Sequence, residues 1–311
     1  MEEAESWAEF RDSFGTLIDV LRRGYLEAVP PIPTGIAELD RHLGGGMRPG
    51  LHVLGGEPGA GKSALALNIA VRLAIMGRRV LYASLEMNRA ECMARCCSML
   101  STSKEREAFR WCDWERLGVE AAARRDDAMR AGDAKGFTDD LMKSDPVGSA
   151  LSLLMESCQG LCLADGEPLR ALTGLLGAAE RGFRAGMGLL IVDYMQRVDV
   201  EGAASEYERV STVCRGLSAF GADHGIPVLA LASLNRDALK GGAPSMFGIR
   251  GSGNAEYDAQ SMMVLANDDG GEAVPDEPRR VLLHVTKARG GFTTADGIPS
   301  SFDGAHNLFS F

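Results

Sequence analysis

Gly56-Glu57-Pro58-Gly59-Ala60-Gly61-Lys62-Ser63 follows the apolar run Leu51 to Gly55 and precedes Ala64 to Met76, where apolar residues recur at helical spacing. A GxxxxGK[ST] stretch set between a strand and a helix has a well-defined physical use. The glycines let backbone N–H groups turn inward, the helix begins with its positive dipole end facing the loop, and the lysine adds a full charge. Such a loop cradles the phosphates of a nucleotide, with the lysine against the β- and γ-oxygens and the hydroxyl placed to ligate magnesium. Gly56 through Ser63 are therefore the candidate ATP-binding residues, and Ser63 a candidate ligand of Mg²⁺.

Outward from this loop, short apolar runs alternate with helical stretches, the pattern of a mainly parallel, twisted sheet flanked by helices. The runs are 51–55, 80–85, 161–164, 189–194, 228–232, 262–265 and 281–285. Two of them deliver a carboxylate to the sheet edge where open α/β sheets bind ligands. Leu189-Leu190-Ile191-Val192-Asp193 makes Asp193 the second candidate for holding magnesium, usually through water. The run from Val80 through Leu85 delivers Glu86, a candidate to orient and polarise the water that attacks a phosphoryl group.

The chain has 311 residues and a formal charge of −10. That balance excludes a surface that coats nucleic acid everywhere and makes any such contact local. The acidic start Met1-Glu2-Glu3-Ala4-Glu5 and the lack of a membrane-length apolar run predict a cytoplasmic protein without an export signal. Seven cysteines and five scattered histidines show no zinc-ligand spacing, and the cysteines read as small buried hydrophobes. Trp7, Phe10, Phe14, Leu17, Ile18, Leu21 and Tyr25 form one helical stripe, ended by Pro30-Pro31-Ile32-Pro33. The expected domains are thus this amphipathic helix and Pro-rich linker over 1–33, then the ATPase domain over 34–311 with a helical insertion at 104–158.

Over roughly residues 34 to 311 the chain resembles the ATPase half of the DnaB-type replicative helicases, which are RecA-like P-loop NTPases. The resemblance rests on Thr34-Gly35 to Leu39-Asp40, the phosphate loop, Ser84-Leu85-Glu86-Met87, Asp193-Tyr194-Met195-Gln196, Leu234-Asn235-Arg236, and Arg250-Gly251-Ser252-Gly253 with Glu256 and Asp258. It implies an ATP-driven helicase or translocase that works in DNA replication as a homo-oligomer, a hexameric ring, on single-stranded DNA. It also implies that Lys287 and Arg289 of one subunit reach the γ-phosphate held by its neighbour, and that the loop with Arg250, Gly251 and Gly253 contacts DNA. The other channel loop, about Val200 to Glu208, carries Glu201, Glu206 and Glu208, the wrong sign for phosphate.

The chain departs from the family pattern in several places. Ser233 stands where the family has a γ-phosphate-sensing glutamine, and Gly251 replaces an acid. The resemblance implies a form without the family's N-terminal domain, in whose place stands the expected helix of residues 6 to 27, which resembles the linker helix that packs on an adjacent subunit. A host primase or a helicase loader is the implied partner, and the insertion suggests a partner surface. Two other readings stay open: a RadA- or KaiC-like RecA-superfamily ATPase, from the glycines at 44–46 and 55–59, and an assembly module with a vestigial ATPase, from Ser233 and the acidic loop.

Overall fold

The computed structural model describes residues 29–102, 110–113, 132, 147–234, 258–268 and 277–311. Its contacts separate Met1–Pro31 from a second unit, Ile32–Phe311. The expected N-terminal helix and the loop with Arg250, Gly251 and Gly253 lie outside the described residues, as does most of the 104–158 insertion.

The strands are β1 (Gly50–Gly56), β2 (Val80–Ser84), β3 (Leu161–Ala164), β4 (Leu189–Asp193), β5 (Pro227–Ser233), β6 (Ser261–Asn267), β7 (Arg279–Ala288), β8 (Ile298–Asp303) and β9 (Leu308–Ser310). Among the described residues the helices are α1 (Ala37–His42), α2 (Lys62–Ile75), α3 (Arg89–Ser101), α4 (Val147–Ser157), α5 (Leu172–Arg184) and α6 (Glu206–His224). The strands form one sheet in the order β3-β2-β4-β5-β1-β6-β7-β8-β9. From β3 to β6 every pair is parallel, and from β6 onward every pair is antiparallel.

Strand alternation sorts the core onto two faces. Tyr82, Leu189, Ile191, Leu229 and Leu54 point to the face covered by α2 and α3. Leu81, Ala83, Leu190, Val192 and Ala230 point to the other, under α5 and α6. Covering both faces explains why β1, β2 and β4 read as continuous apolar runs. The helix ends have local causes as well. Asn88 accepts from the Glu91 N–H at 2.9 Å to start α3, and Ser205 accepts from the Glu208 N–H at 3.1 Å to start α6. Glu208 reaches back to the Ala204 N–H at 2.8 Å, so its charge serves the helix cap.

All seven expected strands form, each within a few residues of its sequence run. The β8–β9 hairpin was not expected, because Ile298-Pro299-Ser300-Ser301-Phe302-Asp303 is short and mostly small or polar. Packing selects it: Phe302 and Phe309 stack on each other, with centroids 4.5 Å apart, beneath the phosphate loop.

Candidate functional site

The C-terminal ends of β1, β2 and β4 meet at one edge because the parallel register aligns Ser84 with Asp193 and carries β1 and β4 into the same sheet through β5. The loop after β1 opens into α2, whose N-cap is Gly61 with φ +97°. A side chain there is excluded twice, by that backbone and by ring atoms of Phe302 and Phe309 only 3.1 Å from where a Cβ would stand. Gly59 differs: its φ is +80°, but a Cβ would meet open space.

Lys62 folds over the loop and donates to the carbonyls of Gly56 at 2.9 Å and Glu57 at 2.8 Å. Burial pushes its ammonium below the ordinary lysine range, while Asp193, Glu86 and Glu57 pull the other way. Asp193 is 1% exposed. Burial raises its carboxyl, opposed by hydrogen bonds from the Tyr82 hydroxyl, at 2.6 Å, and from Ser63. Glu86, exposed, sits in the turn after β2, where the Ser84 hydroxyl donates to the Met87 carbonyl at 2.6 Å and accepts from the Met87 N–H at 3.2 Å. The Leu85 N–H donates to the Asp193 carbonyl at 2.7 Å, joining the two carboxylate-bearing strand ends.

Lys62, Ser63, Glu86, Asp193 and Ser233 line one cleft of about 540 Å³. That volume suits a nucleotide-sized ligand. The chemistry suits it too: a hydroxyl already bonded to a buried carboxylate is a ready divalent-cation site, and the lysine and the glycine-loop N–H groups face anionic oxygens. The residues present therefore fit magnesium and a triphosphate.

Lys287 and Arg289 are not brought to this cleft. β7 runs antiparallel, so Lys287 pairs with Met262 and the Arg289 N–H bonds to Gln260, whereas Gly56 pairs with Leu265. Five residues of strand separate Arg289 from the loop, roughly 16 Å at strand rise. Ser233 reaches the cleft, but its backbone is clasped by Gln196, which accepts from the Ser233 N–H and donates to its carbonyl, both at 3.3 Å. Thr34 to Asp40 belongs to the scaffold: the Asp40 carboxylate accepts from the Thr34 N–H at 2.6 Å and from its hydroxyl at 2.8 Å.

Sequence reasoning missed several groups that line the cleft or brace the residues lining it. Tyr82 was legible only as a hydroxyl inside an apolar strand. Arg95 was legible as a lone cation on a helix face rich in cysteine, and Trp111 and Phe302 left no signal in the pattern. Arg279, at the start of β7, donates to the Gly59 carbonyl and lies over the Phe302 ring, 4.9 Å from its centroid.

A glycine loop opening a helix at the end of a parallel sheet, with a hydroxyl and two carboxylates around it, defines a RecA-like P-loop nucleotide-binding core. More particularly, the chain belongs to the DnaB-like helicase C terminal domain family, whose model matches residues 31–134 and 163–310. It is 28% identical over 267 residues to the replicative DNA helicase DnaB of Geobacillus stearothermophilus, covering 84% of this chain and 52% of that protein. The chain thus spans about half the length of the curated relatives it matches. A local stretch of 66 residues, 21% of the chain, is 53% identical to the DNA repair protein RadA of Mycobacterium tuberculosis. Among solved structures, a DnaB-like replicative helicase has the same fold, with a TM-score of 0.70 at 20% identity over 95% of this chain and 65% of that one. A KaiC-like protein of Pyrococcus horikoshii shares it more loosely, with a TM-score of 0.53 at 15% identity over 90% of this chain and 98% of that one.

Proposed function

We propose that the chain is the ATP-hydrolysing motor of a DnaB-type replicative helicase, moving on single-stranded DNA as a ring of six copies. The observation that carries this reading is the meeting of Lys62, Ser63, Glu86 and Asp193 in one cleft. Lys62 leaves its loop carbonyls for the β- and γ-oxygens of ATP, and the N–H groups of the glycine loop hold the β-phosphate. Ser63 and Asp193 are the residues that would hold magnesium. Magnesium, when bound, neutralises charge on the phosphates. Glu86, exposed at the mouth of the cleft, orients a water for attack.

The other half of the site comes from a neighbouring copy. The placement of Arg289 at the far edge of its own sheet, roughly 16 Å from its own loop along the strands, supports delivery in trans. An arginine so delivered offsets charge developing on the γ-phosphate, worth about 10³ to 10⁵ in rate. Arg250, Gly251 and Gly253 are proposed to contact the DNA backbone, where phosphate contacts carry no base information. A primase or a loader completes the partners. Among the described residues no helix is long and apolar enough to cross a membrane.

Strand displacement on a forked duplex tests the function. ATP-dependent displacement that Lys62→Ala abolishes is expected. Robust ATPase without displacement at any salt or assembly state would contradict helicase action, and loss of both would contradict the motor.

A further inference from the structure

Trp111 opens a short 3-10 turn, Trp111–Asp113, in the stretch that follows α3. Its indole N–H donates to the Gly304 carbonyl at 2.9 Å and its backbone N–H to the Ala305 carbonyl at 3.0 Å. That β8–β9 turn is itself braced by Asp303, whose Oδ1 accepts from the N–H groups of Ala305 and His306 at 3.0 and 3.1 Å. The ring is thus held along one edge, and its face carries the Arg95 guanidinium 3.9 Å from the centroid.

Arg95 extends from α3, with Nη2 bonded to the Glu91 carboxylate at 3.0 Å and Nη1 to Asn307 Oδ1 at 3.4 Å. Its Nε is buried without a hydrogen-bond partner among the described residues. Arg95 and Trp111 both line the cleft that holds Lys62, Ser63 and Asp193. Stacking on a ring face leaves the in-plane N–H groups of a guanidinium available to oxygen acceptors. A cation held in this way, with its Nε–H unpaired among the described residues and one carboxylate to exchange, is suited to a more highly charged phosphate.

We propose that Trp111 is a positioning residue of the nucleotide site: it holds the Arg95 guanidinium on the cleft wall for the terminal phosphate, and so couples nucleotide occupancy to the Trp111–Asp113 turn that follows α3. The inference rests on the ATP reading and adds to it a role for that turn. When a triphosphate enters, Arg95 keeps its place over the Trp111 ring and gives its in-plane N–H groups to the phosphate oxygens, so the charge over the ring is partly neutralised.

The chain has three tryptophans, Trp7, Trp111 and Trp114. With Trp7→Phe and Trp114→Phe in place, Trp111 emission reports on the stack while a non-hydrolysable ATP analogue with magnesium is titrated, and calorimetry measures binding in parallel. The expected result is an emission change that tracks occupancy, is smaller with ADP, and vanishes in Arg95→Ala. Trp111→Ala should raise KM for ATP about two- to fivefold with kcat little changed, the size of one cation–π contact, and Trp111→Phe should recover most of the loss. Nucleotide binding with unmoved emission, or an unchanged KM in Trp111→Ala, would overturn the coupling. Absence of calorimetric binding would overturn the ATP reading and this role with it.

Discussion

Tyr82 shows how much one hydroxyl can govern at this site. It is buried on β2, and its O–H reaches the Asp193 carboxylate at 2.6 Å. A hydrogen bond to a buried carboxylate is worth about 1.5–3 kcal/mol. Tyr82→Phe keeps the ring and removes the donor, so stability should fall by about 2 kcal/mol, read as a lower denaturant midpoint at constant slope. Magnesium-dependent nucleotide binding should weaken with it, and an unchanged midpoint would show that Asp193 is held by other groups. Glu86 makes a contrasting case, because it is exposed and the role proposed for its carboxylate lies in the chemistry alone. Glu86→Gln should lower the rate of hydrolysis by about 10² to 10⁴ while nucleotide binding survives. That outcome would also set aside the vestigial-ATPase reading that Ser233 invites.

At the scale of elements, β1 lies at the centre of the sheet between β5 and β6, and its one polar side chain is a structural group. His52 lies 2% exposed, its Nε2 2.7 Å from the Arg48 carbonyl and its Nδ1 2.7 Å from the Ser261 hydroxyl on β6. A neutral ring that donates from Nε2 and accepts at Nδ1 satisfies both partners. Burial depresses its pKa to about 4, from the ordinary 6.5, so below pH 6.5 the unfolded chain binds the proton that the folded chain refuses. Stability should be fully present above pH 6.5 and fall by about 3 kcal/mol as the pH drops to about 4. Denaturation at several pH values checks this, and His52→Leu should flatten the slope.

The same scale shows what could be read in advance. β1, β2, β4 and β5 are continuous apolar runs because both faces are covered, and burial of that kind leaves an unmistakable trace. Glu86 and Asp193 were legible because each follows such a run directly. The β8–β9 hairpin was not, since its energy comes from Phe302 and Phe309 stacking under a loop more than two hundred residues earlier in the chain. Arg95 and Trp111 were missed as cleft groups for the same reason: each has a partner on the β8–β9 turn, remote in sequence.

At the scale of the whole molecule, the antiparallel turn of β7 is the consequential feature. It carries Lys287 and Arg289 to the sheet edge opposite the phosphate loop, the placement on which the proposed delivery in trans rests. Arg289→Ala subunits and Glu86→Gln subunits should each be inactive alone and regain part of the ATPase activity when mixed, because each damages a different side of a shared site. No recovery under proven subunit exchange would count against assembly in trans. DNA affinity should fall with added salt, and Arg250→Ala should weaken it equally for all sequences.

Steady-state ATP turnover by the unaltered chain and by Lys62→Ala, with magnesium and single-stranded DNA present, is the most direct test of the nucleotide site. The prediction is turnover that the substitution reduces to background. Equal turnover by both proteins would contradict it, because the cation at the heart of the cleft would then have no part in the chemistry.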